Sequence, residues 1–496
     1  MAYQDNPTKL FSYLETATFP PCAPPHPAPL DSFWTRSFTS PLTKRNSEGA
    51  VPETSDIVVI GSGITGICAA TRLVEQVADA DQLAIVVLEA RDFCSGATGR
   101  NGGHVTSLPV LQFGAITSLY GGEEAKRAVE LEDRAVEFFV ETCKQEGWER
   151  EVDLVQGGNI HLFDDEASAE AVKSELKAAE KAGIDVSKIT WLSKNEVATR
   201  VGAEAFAGVA IPSSNLYPLR FVTALFQRAL RQISQAGDNP PVSLDVYTHT
   251  VVSTIEPSSH SPYRWTVQTS RGPILARSVI HATNGYASSV VPSLASGPSR
   301  IVPTRGQVLA YAPQPTSNPR WTTAFSAPHS REYFFQRPNG GPIIIGGARA
   351  AAGAPYEFGV SDDSQVNDRV EEELREYLPK QFPRWFADGK EGHVDQSWTG
   401  VMGYREGGVP LVGQLYVDGE ARVGQFISAG YSGHGVVRAP VCGQAIADMA
   451  LAELRGESFK MPDWMPEHFL STAHGSANKA AVPEEHEEKG SKCLVV

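Results

Sequence analysis

The sequence predicts a mixed α/β fold in which a parallel strand–helix–strand unit is combined with a largely antiparallel sheet. Three observations support this prediction. A β-branched run precedes a glycine-rich turn and a helical stretch near residue 60, short strand-like runs crowd the region 205–360, and a final strand precedes glycines and a helix near residue 430. Parallel strands joined by helices indicate an α/β framework, whereas consecutive short strands indicate an antiparallel sheet.

The strongest element begins at a β-branched run, DIVVI, immediately before Gly61. Such a run is typical of a strand that is buried on both faces. The glycines Gly61, Gly63 and Gly66 follow in the spacing GxGxxG, then a helical stretch, and then a second apolar run, Leu83–Leu88, that ends at Glu89. This order of strand, glycine turn, helix, strand and acid predicts a Rossmann-type βαβ unit.

The residue types of this unit predict a dinucleotide site. The first glycine permits a tight turn, the second lets a diphosphate approach the backbone, and the third lets the helix pack closely on the strand. The N–H groups at the helix N-terminus stabilise the diphosphate charge. Glu89 lies 23 residues beyond Gly66, where an acid accepts the hydroxyls of a ribose and disfavours a 2′-phosphate. The pattern therefore favours FAD or NAD over NADP.

The segment after Glu89 favours FAD over NAD. Its stretch ARDFCSGATGRNGGH contains four glycines, so the backbone is expected to lie against a flat or anionic group; a flexible surface loop is the alternative. A second glycine-rich turn, Gly430–Gly435, lies between the last strand and a helix. A cofactor that contacts both turns must be long, which suits FAD. A nicotinamide-linked dehydrogenase is the alternative within enzymes.

The remaining segments alternate between helical and strand-like patterns. Helical spacing of apolar residues covers 123–146, 166–182, 368–386 and Ala439–Leu454. Strand-like runs are VYTHTVVSTI, RWTVQTS, SVIHATN, VLAYAP, REYFFQRP and PIIIGG. Because these runs follow an initial helical zone, they predict an antiparallel sheet inserted into the α/β framework.

The composition argues against several classes of function. Acidic residues number 58 against 43 lysines and arginines, and the formal charge of −15 argues against a nucleic-acid partner. No run approaches the roughly 18 apolar residues of a membrane-spanning helix. The 12 histidines lack metal-ligand spacing, so no metal site is predicted. Neither Ser95 nor Ser432 has the GxSxG elbow of a hydrolase.

The cysteines and the two ends of the chain carry weaker signals. Six scattered cysteines and the lack of a secretory signal predict a reducing, cytoplasmic location. The first 50 residues are rich in proline and are expected to form an extended arm anchored by Phe33 and Trp34. Residues 474–490 are polar and acidic, which predicts a disordered tail. Cys493 superficially fits a prenylation pattern, but the acidic stretch before it favours a free cysteine.

Several motifs occur in the same order as in the D-amino-acid oxidase/glycine oxidase/sarcosine oxidase superfamily of FAD-dependent amine oxidoreductases. The chain most resembles the γ-glutamylputrescine oxidase-like branch. The resemblance covers residues 55–456 and rests on VVIGSGITG, LEARDFCSGATGRNGG, LYPLR, IHATNGY, VPTRGQ, YFF with GG, WTG with PLVG, and GYSGHG. It implies an α/β fold with a discontinuous Rossmann-type FAD-binding domain and an inserted α+β substrate domain built on an antiparallel sheet.

The resemblance also implies a division into domains. The FAD-binding domain would comprise residues 51–107, 205–300 and 390–460, and the substrate domain would comprise residues 108–204 and 301–389. Residues 1–50 would form an N-terminal arm, and residues 461–496 a C-terminal extension.

The resemblance further implies which residues hold FAD. The adenosine diphosphate half would contact Ser62, Gly63, Ile64, Glu89 and Ala90, beside the turn glycines Gly61 and Gly66. The ribityl chain and flavin would contact Ser95, Thr98, Arg100, Asn101, Gly102 and Gly103. Val252 would cover the adenine, Ala282 the diphosphate, and Gly433, His434, Gly435 and Val436 the pyrimidine edge of the flavin. A helix N-terminus at that edge would stabilise negative charge on the flavin.

The expected attachment of FAD is noncovalent. Relatives that attach the cofactor covalently use a histidine at the position of Arg100 or a cysteine near Thr399–Gly400, and neither nucleophile is present here. His104 lies beyond the first of these positions and is not expected to carry the flavin.

The implied reaction is oxidation of a C–N bond in a primary or secondary amine or an amino acid. Hydride would pass to flavin N5, an imine would form, and O2 would reoxidise the flavin with release of H2O2. Candidates for substrate contacts are His329, Arg331, Tyr333, Arg349, Tyr404, Arg405 and His434, of which His434, Arg331 and Tyr333 are singled out as catalytic.

Three questions stay open from the sequence. The oxygen-activating lysine of relatives falls at Ile344 or Ile345, so an amine dehydrogenase with another electron acceptor is an alternative. A carboxylate-binding lysine of relatives falls at Val437, with Arg438 beside it, so an amine without an α-carboxylate fits as well as an amino acid. A non-catalytic flavin-binding scaffold is the alternative outside enzymes.

Overall fold

The computed structural model describes residues 13–77, 82–237, 239–312, 321–327, 332–386 and 393–475, and the structural statements below concern these residues. Arg331, His329, the end of the acidic tail and Cys493 lie outside them. The chain has a mixed α/β fold organised around two eight-stranded sheets. Within the described ranges, no helix combines the length and the apolar character that crossing a bilayer requires.

The elements are named here in chain order. The strands are β1 Thr54–Ile60, β2 Leu83–Leu88, β3 His104–Val105, β4 Asn159–Phe163, β5 Thr190–Ser193, β6 Ala207–Ile211, β7 Ser214–Asn215, β8 Val242–Tyr247, β9 Val252–Pro257, β10 Trp265–Thr269, β11 Gly272–His281, β12 Val302–Tyr311, β13 Ala324–Ser326, β14 Glu332–Gln336, β15 Ile343–Gly347, β16 Val394–Tyr404, β17 Leu411–Val417 and β18 Glu420–Ala429. The α-helices are α1 Phe33–Ser37, α2 Ile64–Gln76, α3 Phe113–Tyr120, α4 Gly122–Glu146, α5 Glu166–Lys181, α6 Lys194–Arg200, α7 Pro218–Gln235, α8 Ala287–Val290, α9 Asp368–Gln381, α10 Ala439–Arg455 and α11 Ser471–Gly475.

The first sheet is mainly parallel and has β1 near its centre. Its order is β17-β18-β11-β1-β2-β8, and the five strands from β18 to β8 run parallel. Strand β17 pairs antiparallel at the edge, and β9 and β10 extend the sheet beside the first half of β11. Ile57, Val58 and Val59 are fully buried, as expected for a strand covered on both faces. Helices α2 and α10 pack against each other over this sheet.

The second sheet is mainly antiparallel and has the order β16-β12-β15-β14-β13-β4-β6-β5. Only the pairing of β13 with β4 is parallel within it. The domain boundaries predicted at residues 205 and 390 cut across this sheet, because β6 and β16 begin beyond them and yet pair with its other strands. These two strands lie in segments that were assigned from the sequence to the FAD-binding domain, and the division into domains stays a prediction.

The strand-like runs of the sequence divide between the two sheets. VYTHTVVSTI contributes to β8 and β9, separated by a turn in which His249 has φ +53, and RWTVQTS and SVIHATN contribute to β10 and β11. All four strands belong to the first sheet, so only the last three runs belong to the antiparallel sheet that the sequence predicted. The difference arises because β8 and β11 flank the βαβ unit as parallel neighbours of β2 and β1.

The N-terminal arm, described from residue 13 to residue 50, packs along the molecule. Trp34 is fully buried, and its ring lies edge-on to Tyr217 with 4.7 Å between centroids. The indole Nε1–H donates a hydrogen bond of 2.6 Å to the carbonyl of Asn101. Ser32 caps α1 and donates from Oγ to the carbonyl of Gly99 at 2.6 Å. The arm is therefore held against the glycine-rich segment that follows β2.

Packing in the second sheet depends on a cluster of aromatic rings. Phe325 is fully buried, lies stacked on Phe334 with 4.8 Å between centroids, and packs edge-on against Phe382. Replacement of Phe325 by alanine leaves a cavity that this rigid cluster fills poorly. We expect Phe325→Ala to lower the free energy of unfolding by about 3–5 kcal/mol, measured by urea denaturation followed by circular dichroism.

The same substitution at an exposed phenylalanine provides the control for this prediction. Phe206 is 40% exposed, so Phe206→Ala is expected to change the free energy of unfolding by less than about 0.5 kcal/mol. Equal effects of the two substitutions would contradict the assigned packing.

Candidate active site

A cavity of about 830 Å³ lies between the two sheets. On one side it is lined by residues that directly follow parallel strands, namely Gly61 after β1, Glu89 after β2 and Ala282 after β11. On the other side it is lined by residues of the second sheet, among them Tyr333 and Met402. Ligands of open α/β sheets bind at the carboxyl ends of the strands, which is where this cavity opens.

Each glycine of the turn after β1 is needed for a different structural reason. Gly61 has φ +112, and a Cβ there would lie 2.6 Å from the carbonyl oxygen of Ala282. A Cβ on Gly66 would collide with the carbonyl oxygen of Gly61. Gly63 lines the cavity and precedes α2, and the first N–H of this helix, that of Ile64, donates to Thr98 Oγ1 at 3.0 Å. The positive end of the α2 dipole faces the cavity, which suits an anionic ligand.

Glu89 is held on the cavity wall by a hydrogen-bond network. Its Oε2 accepts from both the backbone N–H and the Oγ–H of Ser62, at 3.1 and 2.7 Å, and its Oε1 accepts from the N–H of Arg91. Ser62 in turn accepts from the N–H of Cys94. Ser62 does not line the cavity, so it acts by orienting the carboxylate rather than by touching a ligand.

Two buried arginines share one carboxylate beside the cavity. Arg91 Nη1 lies 2.9 and 3.0 Å from the two carboxylate oxygens of Asp363, and Arg100 Nε lies 3.5 Å from one of them. Arg100 also donates to the carbonyls of Ser95 and Thr399. Burial lowers the pKa of Arg100 to about 10, so the group stays cationic at neutral pH. Both arginines line the cavity, and so does Glu89, so this part of the wall carries two guanidinium groups beside two carboxylates.

The second glycine turn presents free backbone donors. In the described part of the chain, the N–H groups of Gly435, Val436 and Val437 donate to no acceptor, and all three residues line the cavity. Helix α10 begins immediately afterwards, with Arg438 as an N-cap that makes no side-chain cap. Free N–H groups next to a helix N-terminus form an anion-stabilising concavity.

The imidazole of His434 faces the cavity from this turn. Among the described residues it has no hydrogen-bond partner, although its backbone N–H donates to the carbonyl of Tyr431. Burial, together with the charge of Arg438, lowers the pKa of His434 to about 3. The ring is therefore neutral at physiological pH and can both donate and accept a hydrogen bond.

Tyr333 and His104 form an aromatic wall opposite this turn. A Cβ on Gly102 would lie 2.6 Å from the Tyr333 ring and a Cβ on Gly346 would lie 2.5 Å from its hydroxyl, so both glycines make room for the tyrosine. The two rings of the wall meet edge-on at 5.3 Å. The ring nitrogens of His104 lie 3.2 and 3.3 Å from the carbonyls of Gly102 and Phe334, and burial lowers its pKa to about 4.

Arg349 enters the cavity between two aromatic rings. The guanidinium carbon lies 4.4 Å from the ring centre of Tyr404 and 4.6 Å from that of Phe358. Its Nη1 is buried without a hydrogen-bond partner among the described residues. Burial lowers the pKa of Arg349. By contrast, Arg405 donates to the carbonyls of Val409, Pro410 and Pro298 and does not line the cavity.

The structure brings most of the predicted cofactor residues to the cavity. Fifteen of the nineteen line it, namely Gly61, Gly63, Ile64, Glu89, Ala90, Thr98, Arg100, Asn101, Gly102, Val252, Ala282, Gly433, His434, Gly435 and Val436. The other four, Ser62, Gly66, Ser95 and Gly103, pack behind the wall. Of the predicted catalytic residues, His434 and Tyr333 line the cavity, and Arg331 lies outside the described residues.

Sequence reasoning missed several groups of the site. Pro25 reaches the cavity from the N-terminal arm, Asp363 pairs with the two arginines, and Glu372 and Glu373 on α9 line the outer part of the cavity. None of these residues belongs to a recognisable motif, and only the tertiary fold brings them to the site. Across the described ranges, no cluster of three or more histidine, cysteine or acidic side chains is arranged to hold a metal ion.

Comparisons with known proteins agree with the motifs. Residues 56–449 match the family model "DAO: FAD dependent oxidoreductase". The chain is 25% identical to γ-glutamylputrescine oxidoreductase from Escherichia coli over 413 residues, which covers 82% of this chain and 84% of the relative. It is 22% identical to the probable oxidoreductase OrdL from Rhizobium meliloti over 404 residues, covering 80% and 83%.

Solved structures show the same fold. The crystal structure of glycine oxidase from Geobacillus kaustophilus superposes with a TM-score of 0.63 at 19% identity, covering 85% of this chain and all of that chain. The family resemblance inferred from the sequence motifs is confirmed by the match over residues 56–449. The chain belongs to the DAO family of FAD-dependent oxidoreductases.

Proposed function

We propose that this chain binds FAD noncovalently along the cavity and uses it to oxidise a C–N bond in a primary or secondary amine or an amino acid. The observation that carries the proposal is that both glycine turns, the one after β1 and the one before α10, face the same cavity. The E. coli relative is named for an amine, γ-glutamylputrescine, which supports this substrate class.

The first sheet would serve as a discontinuous Rossmann-type FAD domain, and the second as the basis of an inserted substrate domain. In this arrangement the diphosphate would meet Gly63 and the N-terminus of α2, and Glu89 would accept the ribose hydroxyls. The guanidinium groups of Arg91 and Arg100, which line the cavity, could each meet an anionic group of the cofactor. The free N–H groups of Gly435–Val437 suit the pyrimidine edge of the flavin, where negative charge accumulates on reduction.

The contacts of two candidate attachment points support noncovalent binding. Arg100 donates to two backbone carbonyls and lies close to Asp363, and an arginine is not a nucleophile at neutral pH. Both ring nitrogens of His104 lie close to backbone carbonyls. Neither side chain is poised to form a bond to the flavin. The five described cysteines are free, and the reducing, cytoplasmic location stays a proposal from the sequence.

FAD, when bound, would accept a hydride from the α-C–H of the amine to leave an imine, and O2 would reoxidise it with release of H2O2. The chain's own residues would position the substrate and exclude water from it. Tyr333 and His104 would form one wall of the substrate space, and the neutral imidazole of His434 would accept a hydrogen bond from the amine. A neutral ring does not repel an arriving ammonium ion.

The residues near the cavity bear on which electron acceptor the flavin would use. Ile344 and Ile345 are fully buried at the position where relatives carry an oxygen-activating lysine. No lysine is found among the described residues that line the cavity. These observations favour an amine dehydrogenase with another electron acceptor as the second candidate, whereas the neutral His434 and the free Arg349 argue against a scaffold without a substrate.

Anaerobic mixing of the purified holoprotein with a panel of amines and amino acids tests the proposed reaction. We expect at least one compound to bleach the visible absorbance of the oxidised flavin, because hydride transfer needs no oxygen. Admission of air then separates the two candidates: an oxidase regains its colour with release of H2O2, and a dehydrogenase stays bleached. A flavin that no amine bleaches would contradict amine oxidation.

The glycine turn makes a separate prediction about cofactor retention. A Cβ on Gly63 would lie 3.2 Å from Thr98 Oγ1, and a larger side chain would fill the space of the diphosphate. We expect Gly63→Val to weaken FAD binding by more than about tenfold, measured by the flavin content after gel filtration. Gly122→Val is the matched control, because a Cβ there meets nothing within 4 Å. A fully loaded Gly63→Val protein would show that the diphosphate lies elsewhere.

Arg349 makes a third prediction, on the substrate. Its unpartnered guanidinium fits a carboxylate, which would favour an amine that carries an acid group. We expect Arg349→Met to weaken binding of acetate or benzoate to the holoprotein by about 10–100-fold, followed by perturbation of the flavin spectrum. Arg375→Gln is the control, because Arg375 is exposed and pairs with Glu371 on α9. An unchanged affinity in Arg349→Met would exclude this contact.

A further inference from the structure

The N-terminal arm lies outside the segment that matches the family. The match begins at residue 56, whereas the described part of the arm covers residues 13–50. The arm nevertheless contains the fully buried Trp34 and packs against the segment Ser95–Gly103, which is called the glycine loop here. A segment outside the family core that is buried against a predicted cofactor loop is a candidate for a specific function.

The glycine loop contacts both the cavity and the arm. Thr98, Arg100, Asn101 and Gly102 line the cavity. Two carbonyl oxygens of this loop accept hydrogen bonds from the arm: the carbonyl of Gly99 from Ser32 Oγ, and the carbonyl of Asn101 from Trp34 Nε1, both at 2.6 Å.

Trp34 is fixed in place from both sides. Its carbonyl accepts a hydrogen bond of 2.6 Å from the hydroxyl of Tyr217. A Cβ on Gly103 would lie 3.3 Å from its ring, so the absence of a side chain there lets the indole reach the loop. The arm therefore holds two donors, Ser32 Oγ and Trp34 Nε1, in fixed positions. Their spacing is set by helix α1, which begins directly after Ser32.

The arm also contacts Arg91 and its ion-pair partner Asp363, and it reaches the cavity. The N–H of Leu30 donates to the carbonyl of Asp363 at 2.9 Å, and Arg91 donates to the carbonyl of His26 at 3.3 Å. Pro25, one residue earlier, lines the cavity. Between Pro25 and Trp34 the arm thus contacts the Arg91–Asp363 ion pair as well as the glycine loop.

A glycine-rich loop has a large conformational entropy, and external contacts are needed to hold it in one conformation. Removing the donors would leave two carbonyls without their partners and free the loop to sample other conformations. We infer that the N-terminal arm is a strap that retains FAD by fixing the glycine loop in its binding conformation. This inference rests on the cofactor of the family and is independent of the amine chemistry proposed above.

The double variant Ser32→Ala/Trp34→Phe tests the strap in the full-length chain. It removes both donors, and with the Ser32 hydroxyl the side-chain cap of α1, while keeping an aromatic ring in the buried site. We expect the Kd for FAD to rise by about tenfold or more, and the dissociation of FAD, followed by recovery of flavin fluorescence, to become faster by a similar factor. Arg36→Gln is the control on the same helix, because Arg36 is exposed and its Nη1 lies 3.9 Å from Asp395. Its Kd should stay within twofold of that of the parent chain.

A purely structural role for the arm gives a different result. In that case the apoprotein and the holoprotein would lose the same amount of thermal stability, and the Kd for FAD would stay within twofold of the parent value; this outcome would overturn the inference. If the arm is a strap, the double variant lowers the Tm of the holoprotein more than that of the apoprotein. Added FAD then raises the Tm of the variant holoprotein back toward that of the parent holoprotein. If the double variant fails to fold, the single variants Ser32→Ala and Trp34→Phe decide, each with an expected rise in Kd of about threefold.

Discussion

The close packing of backbone at the end of β1 is the constraint on which the rest of this molecule depends. Gly61 can turn the chain only because it tolerates φ +112, and the carbonyl of Ala282 leaves no room for a side chain there. The contact between Gly66 and the carbonyl of Gly61 brings α2 directly onto the strand. These contacts place the N-terminus of α2 at the carboxyl ends of β1 and β11. The cavity opens at that point, and Gly61, Gly63 and Ile64 line it there.

Local patterns explain which parts of the fold could be predicted from the sequence. The βαβ unit is contiguous, and its strands and helix are bounded in the structure within a few residues of where the sequence places them. The runs that became β8 and β11 were harder to assign, because a short apolar run looks alike in a parallel and in an antiparallel sheet. Their partners, β2 and β1, are distant in the sequence and are chosen by the tertiary fold.

The same distinction applies to the candidate site. The glycines of the turns could be predicted because each permits a local backbone conformation or a close contact. Glu89 could be predicted because the βαβ unit fixes its position directly after β2. Asp363 could not be found, since its pairing with Arg91 joins residues 272 positions apart. Ser62 shows a subtler limit: it lies in the predicted motif, yet its hydroxyl is used on Glu89 and on the N–H of Cys94. A motif identifies a residue more readily than it identifies what the side chain touches.

The distribution of charge connects the cofactor with the substrate. The chain has a net charge of −15, yet Arg91, Arg100 and Arg349 all line the cavity. Burying cations is unfavourable unless anions meet them, and Arg91 and Arg100 share Asp363 while Glu89 lies beside Arg91. Arg349 differs from these two, because its Nη1 has no hydrogen-bond partner among the described residues, so an acid group on the substrate would pair with it. The lowered pKa values of His104 and His434 keep both rings neutral, so the proposed amine substrate would meet no imidazolium at these two positions.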